Sequence, residues 1–168
     1  MEELATTDPL TGLYNRRYAM ARLHSEAARA LRYGYPMAVI MVDVDSFKQV
    51  NDRMGHQSGD RVLAEIAALL ANGVRHTDVV CRLGGENFLV ILSMSGVREA
   101  AQLAEQLRDK IQNHSFFGSN LQVTISQGIA SLETGSQGVS LNLLIEDLLN
   151  RADHNLHQSK ETRNHIAW

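Results

Sequence analysis

Along the chain, stretches with apolar residues every third or fourth position are separated by shorter ones in which apolar residues run together or alternate singly. The first helical stretch covers residues 15–33, with Tyr18, Leu23, Ala27, Ala30 and Leu31 near one face. "YGYP" closes it, since glycine and proline do not continue a helix. "MAVIMVDV", residues 37–44, is apolar without alternation, the pattern of a strand covered on both faces. A helix is predicted over 59–74, its stripe being Val62, Leu63, Ile66, Leu70 and Val74. "CRLGGENFLVIL", residues 81–92, reads as strand, turn and strand with Gly84-Gly85 at the tip, because tight hairpin turns need positive φ angles. A helix over 97–113 turns Ala100, Leu103, Ala104, Leu107 and Ile111 inward. "LQVTISQGIASL", residues 121–132, sets Leu121, Val123 and Ile125 against polar neighbours and predicts a strand with one wetter face. The last helix, 140–159, buries Leu144, Leu148, Ala152 and Leu156. Helices interleaved with a hairpin and single strands predict an α/β layer fold, a mixed central β-sheet flanked by helices.

Length and composition narrow this further. At 168 residues, 44% of them hydrophobic and 21% charged, the chain fits one compact domain with a real core. The whole of 1–168 reads as a single domain, with residues 1–7 as the end of an upstream linker. The net charge of −3, with no basic run, argues against nucleic acid as a partner. No apolar run approaches the ~20 residues of a membrane span and no signal peptide opens the chain, so no membrane contact is expected of this segment. The single cysteine, Cys81, excludes an intramolecular disulfide and suits a reducing, cytoplasmic location.

Candidate chemistry begins where the buried strand ends, in "VDVDSFKQVND". Asp43 and Asp45 are two apart and share a face while the strand persists. Carboxylates there either cap the following turn or are paired with a cation, because burying them alone is unfavourable. Lys48, Asn51, Asp52 and Asp60 follow closely, a density of polar groups that points to a phosphate or nucleotide site. Magnesium favours carboxylate and substrate-phosphate oxygens, so Asp43 with Glu86 from the hairpin is a candidate pair to hold it.

"DPLTGLYNRR", "VDVDSFKQVND" followed by "GHQSGD", and "RLGGENF" occur in that order between residues 8 and 88, and the likeness they open runs to about residue 164. In these motifs the chain resembles the GGDEF domain of diguanylate cyclases. The resemblance implies a fold akin to nucleotidyl-cyclase and polymerase palm domains. It also implies that two GTP molecules condense into cyclic di-GMP and two pyrophosphates across a homodimer formed through the catalytic face. The 3′-hydroxyl of one nucleotide would attack the α-phosphorus of the other. Two magnesium ions (Mg2+) would assist at each half-site, with manganese (Mn2+) able to substitute. By the same resemblance Asp43 and Glu86 are the metal carboxylates, the Val44 carbonyl is a further ligand, and Glu86 is the candidate base for the attacking hydroxyl. Backbone amides near Ser46 and Phe47, with the Lys48 side chain, would hold the terminal phosphates. Asn51 and Asp60 match the positions that hydrogen-bond guanine, and Gly84 and Gly85 let the hairpin backbone approach the nucleotide. Arg75 and Asp78, in "RHTD", match an RxxD motif that binds cyclic di-GMP as an allosteric, product-inhibiting ligand. Taken without the family, the same pair is a solvated helix end with a local ion pair. An upstream sensory or receiver domain is implied as a partner.

Four departures bear on activity or its inhibition. The family motif reads Gly-Gly-acid-Glu-Phe, whereas this chain reads Gly84-Gly85-Glu86-Asn87-Phe88 and so lacks one carboxylate. The phosphate-binding Lys and Arg of the family are here Lys160 and Arg163, only three apart in "SKETRN". They share a face if the segment is helical, and Arg163 is re-aimed if it is a turn. His157 replaces a family tyrosine, and near Gln106, where a second inhibitory arginine often sits, there is no basic residue except Arg108 on another face. Two readings follow: a diguanylate cyclase of low activity, or a catalytically degenerate module that binds GTP or cyclic di-GMP and signals through dimerisation.

Overall fold

The computed structural model describes residues 5–132 and 138–168. In chain order the elements are β1 (Tyr14–Asn15), α1 (Arg16–Tyr33), β2 (Ala38–Val44), α2 (Phe47–Met54), α3 (His56–Gly73), β3 (Val79–Gly84), β4 (Asn87–Leu92), α4 (Val97–Gln112), β5 (Ile125–Ser131), α5 (Leu141–Thr162) and β6 (Ile166–Ala167). The six strands form one mixed sheet in the order β1-β3-β4-β2-β5-β6. β2 is antiparallel to both β4 and β5, and the short outer strands run parallel to their neighbours.

The unbroken apolar run of β2 reflects its place between β4 and β5 in the middle of the sheet. Ala38, Ile40, Val42 and Val44 face a core shared with α3 and α4, while Met37 and Val39 enter the core under α1 and α5. Each face of the sheet is thereby covered by a pair of helices, the layer arrangement the pattern predicts. Among the described residues, no helix is long and apolar enough to cross a membrane.

β5 departs from expectation. The strand starts at Ile125 rather than 121 and is buried on both faces until its last residue. Its polar residues face protein, not water. The Gln127 side-chain amide donates to the Ala104 carbonyl at 2.9 Å, and the Ser126 hydroxyl donates to Asp45 at 2.6 Å. α5 lies so close above β5 that a Cβ at Gly128 would collide with the Ala152 carbonyl and the Leu156 amide. Polar identity at alternate positions therefore marked buried hydrogen bonds and a helix contact instead of a wet face.

α2 is the helix that apolar periodicity missed, because none of its eight residues is buried; the two-residue strands β1 and β6 were not read either. α3 starts at His56, ahead of the predicted Gly59, and α5 continues to Thr162, past the predicted Ser159. The extension of α5 carries Lys160 of the candidate site. α1 carries a buried acid that the periodicity also left unread. The Glu26 carboxylate accepts from Arg29 at 3.3 Å, from the Tyr35 hydroxyl at 3.4 Å and from the Ser93 hydroxyl at 3.3 Å.

Candidate active site

Asp43 stands one residue before the end of β2, directly opposite Asn87 of β4 on one side and Ser126 of β5 on the other. Its side chain is buried. One carboxylate oxygen, Oδ2, is in ion contact with the Lys160 ammonium from the last turn of α5. The other, Oδ1, is buried and has no hydrogen-bond partner in the protein. An unpartnered buried carboxylate oxygen is unfavourable by itself, so its place at a strand end beside an open hollow makes it a candidate ligand position. Burial first, and then the positive charge of Arg163, push the Lys160 ammonium below its ordinary value, while its contact with Asp43 works in the opposite sense.

The hairpin brings Glu86 to the same end of the sheet. β3 runs through Gly84, which pairs with Asn87 after an irregularity between Arg82 and Gly84. The turn itself is therefore Gly85 and Glu86, one residue later than predicted, with Gly85 in the left-handed region at φ +47°. The Val44 amide donates to the Glu86 carbonyl at 3.3 Å, which fixes the tip to the end of β2. No protein atom lies within 4 Å of where a Cβ would stand on Gly84 or Gly85, so the space above the tip is open.

Arg82 holds this tip, and the sequence did not single it out. Its Nε and Nη2 donate to the Gly85 carbonyl at 3.0 and 2.9 Å. Its Nη1 donates to the Asp8 carboxylate at 3.3 Å. Asp8 also accepts from the Thr11 amide at 2.9 Å and the Thr11 hydroxyl at 2.7 Å. Burial alone would raise the Asp8 carboxyl, but the Thr11 hydrogen bonds and the Arg82 guanidinium outweigh it and hold it below its ordinary value. The opening decapeptide thus braces the hairpin tip. An arginine two residues before the Gly84-Gly85 pair was the only local signal; its partner Asp8 is 74 residues away.

Asp45, which spacing put on the face of Asp43, has a different role. β2 ends at Val44, and the Asp45 carboxylate accepts from the Thr124 hydroxyl at 2.7 Å, the Ser126 hydroxyl at 2.6 Å and the Asn164 amide at 2.8 Å. It ties the end of β2 to β5 and to the segment after α5. With both Asp45 oxygens satisfied by these donors, Asp43 is the candidate carboxylate left with an open oxygen.

The second half of the site lies on α2 and α3. Ser46 takes φ +55° and turns the chain from β2 into α2, and its side chain makes no capping hydrogen bond. The amides of Phe47 and Lys48 belong to the first turn of that helix, whose N–H groups have no intrahelical acceptor. The Lys48 side chain is exposed. Asn51 packs over Gly59 of α3, where a Cβ would collide with the Asn51 side-chain oxygen and press on the Phe47 ring. Gly59, in "GHQSGD", is the residue that permits this close crossing of α2 and α3. Asp60, next along α3, is exposed.

The end of α5 separates Lys160 from Arg163. The helix stops at Thr162 and Arg163 takes φ +63°, so the turn alternative holds. Lys160 reaches Asp43, whereas Arg163 borders a hollow of about 340 Å3 with Ser46, Gln49 and Arg53. A larger hollow, about 730 Å3, is bordered by Asp43, Gly84, Asn87 and Lys160, with the exposed His157 on its rim. Among the described residues no three His, Cys, Asp or Glu side chains converge as a closed metal cage. Two carboxylates at one sheet end instead suit a hard cation that completes its shell from water and substrate oxygens.

Arg75 and Asp78 stand apart from this end, after α3. Arg75 donates from Nε at 3.2 Å and Nη2 at 3.0 Å to the two oxygens of Asp78, and from Nη2 to the Ser93 carbonyl at 2.8 Å and the Ser95 hydroxyl at 3.0 Å. The Arg75 side chain is 57% exposed and that of Asp78 is 1% exposed. Asp78 therefore lies beneath the guanidinium and sets its direction. Gln106 borders the adjoining recess, while Arg108 is held elsewhere by Glu105 and Gln112.

Residues 5–165 match the family model described as "Diguanylate cyclase, GGDEF domain". The chain belongs to the GGDEF domain family. It is 41% identical over 162 residues to the response regulator PleD of Caulobacter vibrioides, a match covering 94% of this chain and 34% of PleD, so it spans about a third of that relative's length. In structure it is similar to the GGDEF domain of DgcB from Caulobacter crescentus, solved in complex with c-di-GMP, with a TM-score of 0.87 at 29% identity over 99% of this chain and 97% of that one. It is similar too to the active GGEEF domain of a diguanylate cyclase from Vibrio cholerae, with a TM-score of 0.83 at 34% identity over 91% and 95% of the two chains. The mixed-sheet fold expected from the sequence is that of these GGDEF domains.

Proposed function

We propose that the chain is one GGDEF domain spanning 1–168, with residues 1–7 ending an upstream linker, and that it condenses two GTP into cyclic di-GMP at low turnover. The observation that carries this is the buried, unpartnered Oδ1 of Asp43 beside the anchored Glu86 tip. Asp43, Glu86 and the Val44 carbonyl would hold magnesium or manganese. When bound, the cations would neutralise phosphate charge and polarise the α-phosphate toward attack.

The chain's own residues do the rest. Asn51 and Asp60 hydrogen-bond the guanine edge. The first-turn amides of α2, with Lys48 and Arg163, orient the terminal phosphates, and alignment of this kind supplies most of the acceleration in phosphoryl transfer. Glu86 accepts the proton of the attacking 3′-hydroxyl, which arrives on the nucleotide of a facing second copy. Lys160 moves from Asp43 toward phosphate as substrate enters. Cyclic di-GMP returns to Arg75, whose direction Asp78 sets, and limits further synthesis. An upstream sensory or receiver domain would bring two copies together.

A second reading has its own support. Asn87 stands where the family has a carboxylate, and Lys160 occupies one oxygen of Asp43. On this reading the domain binds GTP or cyclic di-GMP and signals through dimerisation without turnover. Chromatographic analysis of products after incubation with GTP and either cation separates the two. Cyclic di-GMP lost in Asp43→Asn supports the cyclase; nucleotide binding with no product supports the module. No GTP binding at all overturns both.

A further inference from the structure

We infer that Trp168, with Gln102 and Gln106 of α4, forms the second half of a cyclic di-GMP site whose first half is Arg75, one guanine stacking on the indole. The inference rests on the Arg75 reading above and extends it to a residue outside the RxxD motif.

Gln102 and Gln106 are four apart on α4 and share a face. They form a ridge between two hollows. On one side is the recess of about 300 Å3 that contains Arg75 and Ser95. On the other is an open hollow of about 800 Å3, with Val97 and Ala101 on α4 and Trp168 as its opposite wall. Trp168 is 68% exposed, an unusual state for the largest aromatic side chain in a chain that has only one. Exposed aromatic rings beside cationic groups are stacking platforms for nucleobases.

Charge and hydrogen-bonding capacity fit a guanine nucleotide. The exposed guanidinium of Arg75 faces the recess with its direction fixed by Asp78, Ser93 and Ser95, ready for a phosphate. Nearby acids are already engaged: Glu105 by Arg108, and Glu99 by the Gly96 amide at 2.9 Å. Arg98 adds a positive charge at the edge of the larger hollow. Each glutamine amide offers both a donor and an acceptor, which matches the mixed edge of guanine. At Gln106 the chain lacks the cation that the family resemblance leads one to expect, and stacking on Trp168 provides contact where charge does not.

Because Trp168 is the only tryptophan, its fluorescence reports this site alone. Titration of the 168-residue chain with cyclic di-GMP should quench that emission along the same curve as the calorimetric heat. Trp168→Leu should weaken binding about tenfold while Trp168→Phe keeps most of the affinity, since stacking needs a ring. Gln102→Ala with Gln106→Ala should weaken binding and reduce preference over cyclic di-AMP. Arg75→Ala should abolish heat and quenching together. Full affinity in Trp168→Leu, with no quenching in the unaltered protein, overturns the stacking site and leaves Arg75 standing. No heat with the unaltered protein overturns both, and equal quenching by cyclic di-AMP overturns the guanine assignment.

Discussion

Asp43 and Asn87 face each other directly across the antiparallel ladder of β2 and β4, one buried and the other exposed at the mouth of the same hollow. Side chains opposed in this way lie within contact distance, so the residue at position 87 acts on the Asp43 carboxylate directly. An amide there is neutral. A carboxylate would repel Asp43 in the empty site and help bind divalent cations in the loaded one.

Asn87→Glu should therefore raise cyclic di-GMP synthesis by about tenfold or more, because it adds a carboxylate beside Asp43 in the proposed cation site. The same change should lower stability slightly without cations and make stability more dependent on them, since two opposed acids repel. Product formation in a form fused to a dimerising segment, and thermal melts with and without magnesium, read both effects. Unchanged turnover would shift the cause of the proposed low activity to the Lys160–Arg163 segment.

Gly59→Ala should displace the Asn51 amide, because the added methyl takes the position of its oxygen. GTP affinity should fall about tenfold, the value of a lost hydrogen bond to a buried edge, with the helices retained. Calorimetry with GTP and ATP measures it, and preserved discrimination between the two nucleotides would refute Asn51 as a guanine reader.

Arg82→Ala removes the donors to the Gly85 carbonyl and the partner of Asp8. A half-buried pair broken on one side costs on the order of 1–3 kcal/mol, and the freed tip should cut turnover by more than that stability loss implies. The Asp8 carboxyl is held low in the fold, so between its folded and unfolded values the unfolded chain binds more protons. Its stabilisation is present above the ordinary carboxylate range and is lost as pH falls through the folded value. Acid denaturation midpoints should move upward in Arg82→Ala; an unmoved midpoint refutes the brace.

Cys81 is fully buried between sheet and helices, and burial pushes its thiol up to about 12. At neutral pH it should resist alkylation in the native state and react only on unfolding. The unfolded thiol ionises at lower pH than the folded one, so this residue's contribution to stability falls as pH rises above the ordinary thiol range. Timed alkylation followed by mass spectrometry tests the first point; rapid labelling of native protein would contradict the burial.

Local pattern was enough for most of the framework. The continuous apolar run of β2, the stripes of α1, α3, α4 and α5, and the glycines of the hairpin each encode their element through side-chain period or backbone freedom, properties present in the neighbouring residues alone. The motifs also carried the family, and with it the assignments proposed for Asp43, Glu86, Asn51 and Asp60. What pattern could not separate were residues of the same type in the same context. Asp43 and Asp45 look equivalent in sequence, yet Thr124, Ser126 and Asn164 saturate one and leave the other open. Lys160 and Arg163 look like a pair, yet the helix ends between them. α2 went unread because none of its residues is fully buried, and Ser126 and Gln127 resembled a wet face because buried polar residues are spelled like exposed ones. For Asp45 and Ser126 the deciding partner lies far along the chain, and hydrogen-bond donors and acceptors find one another only when the sheet has set which strand ends meet.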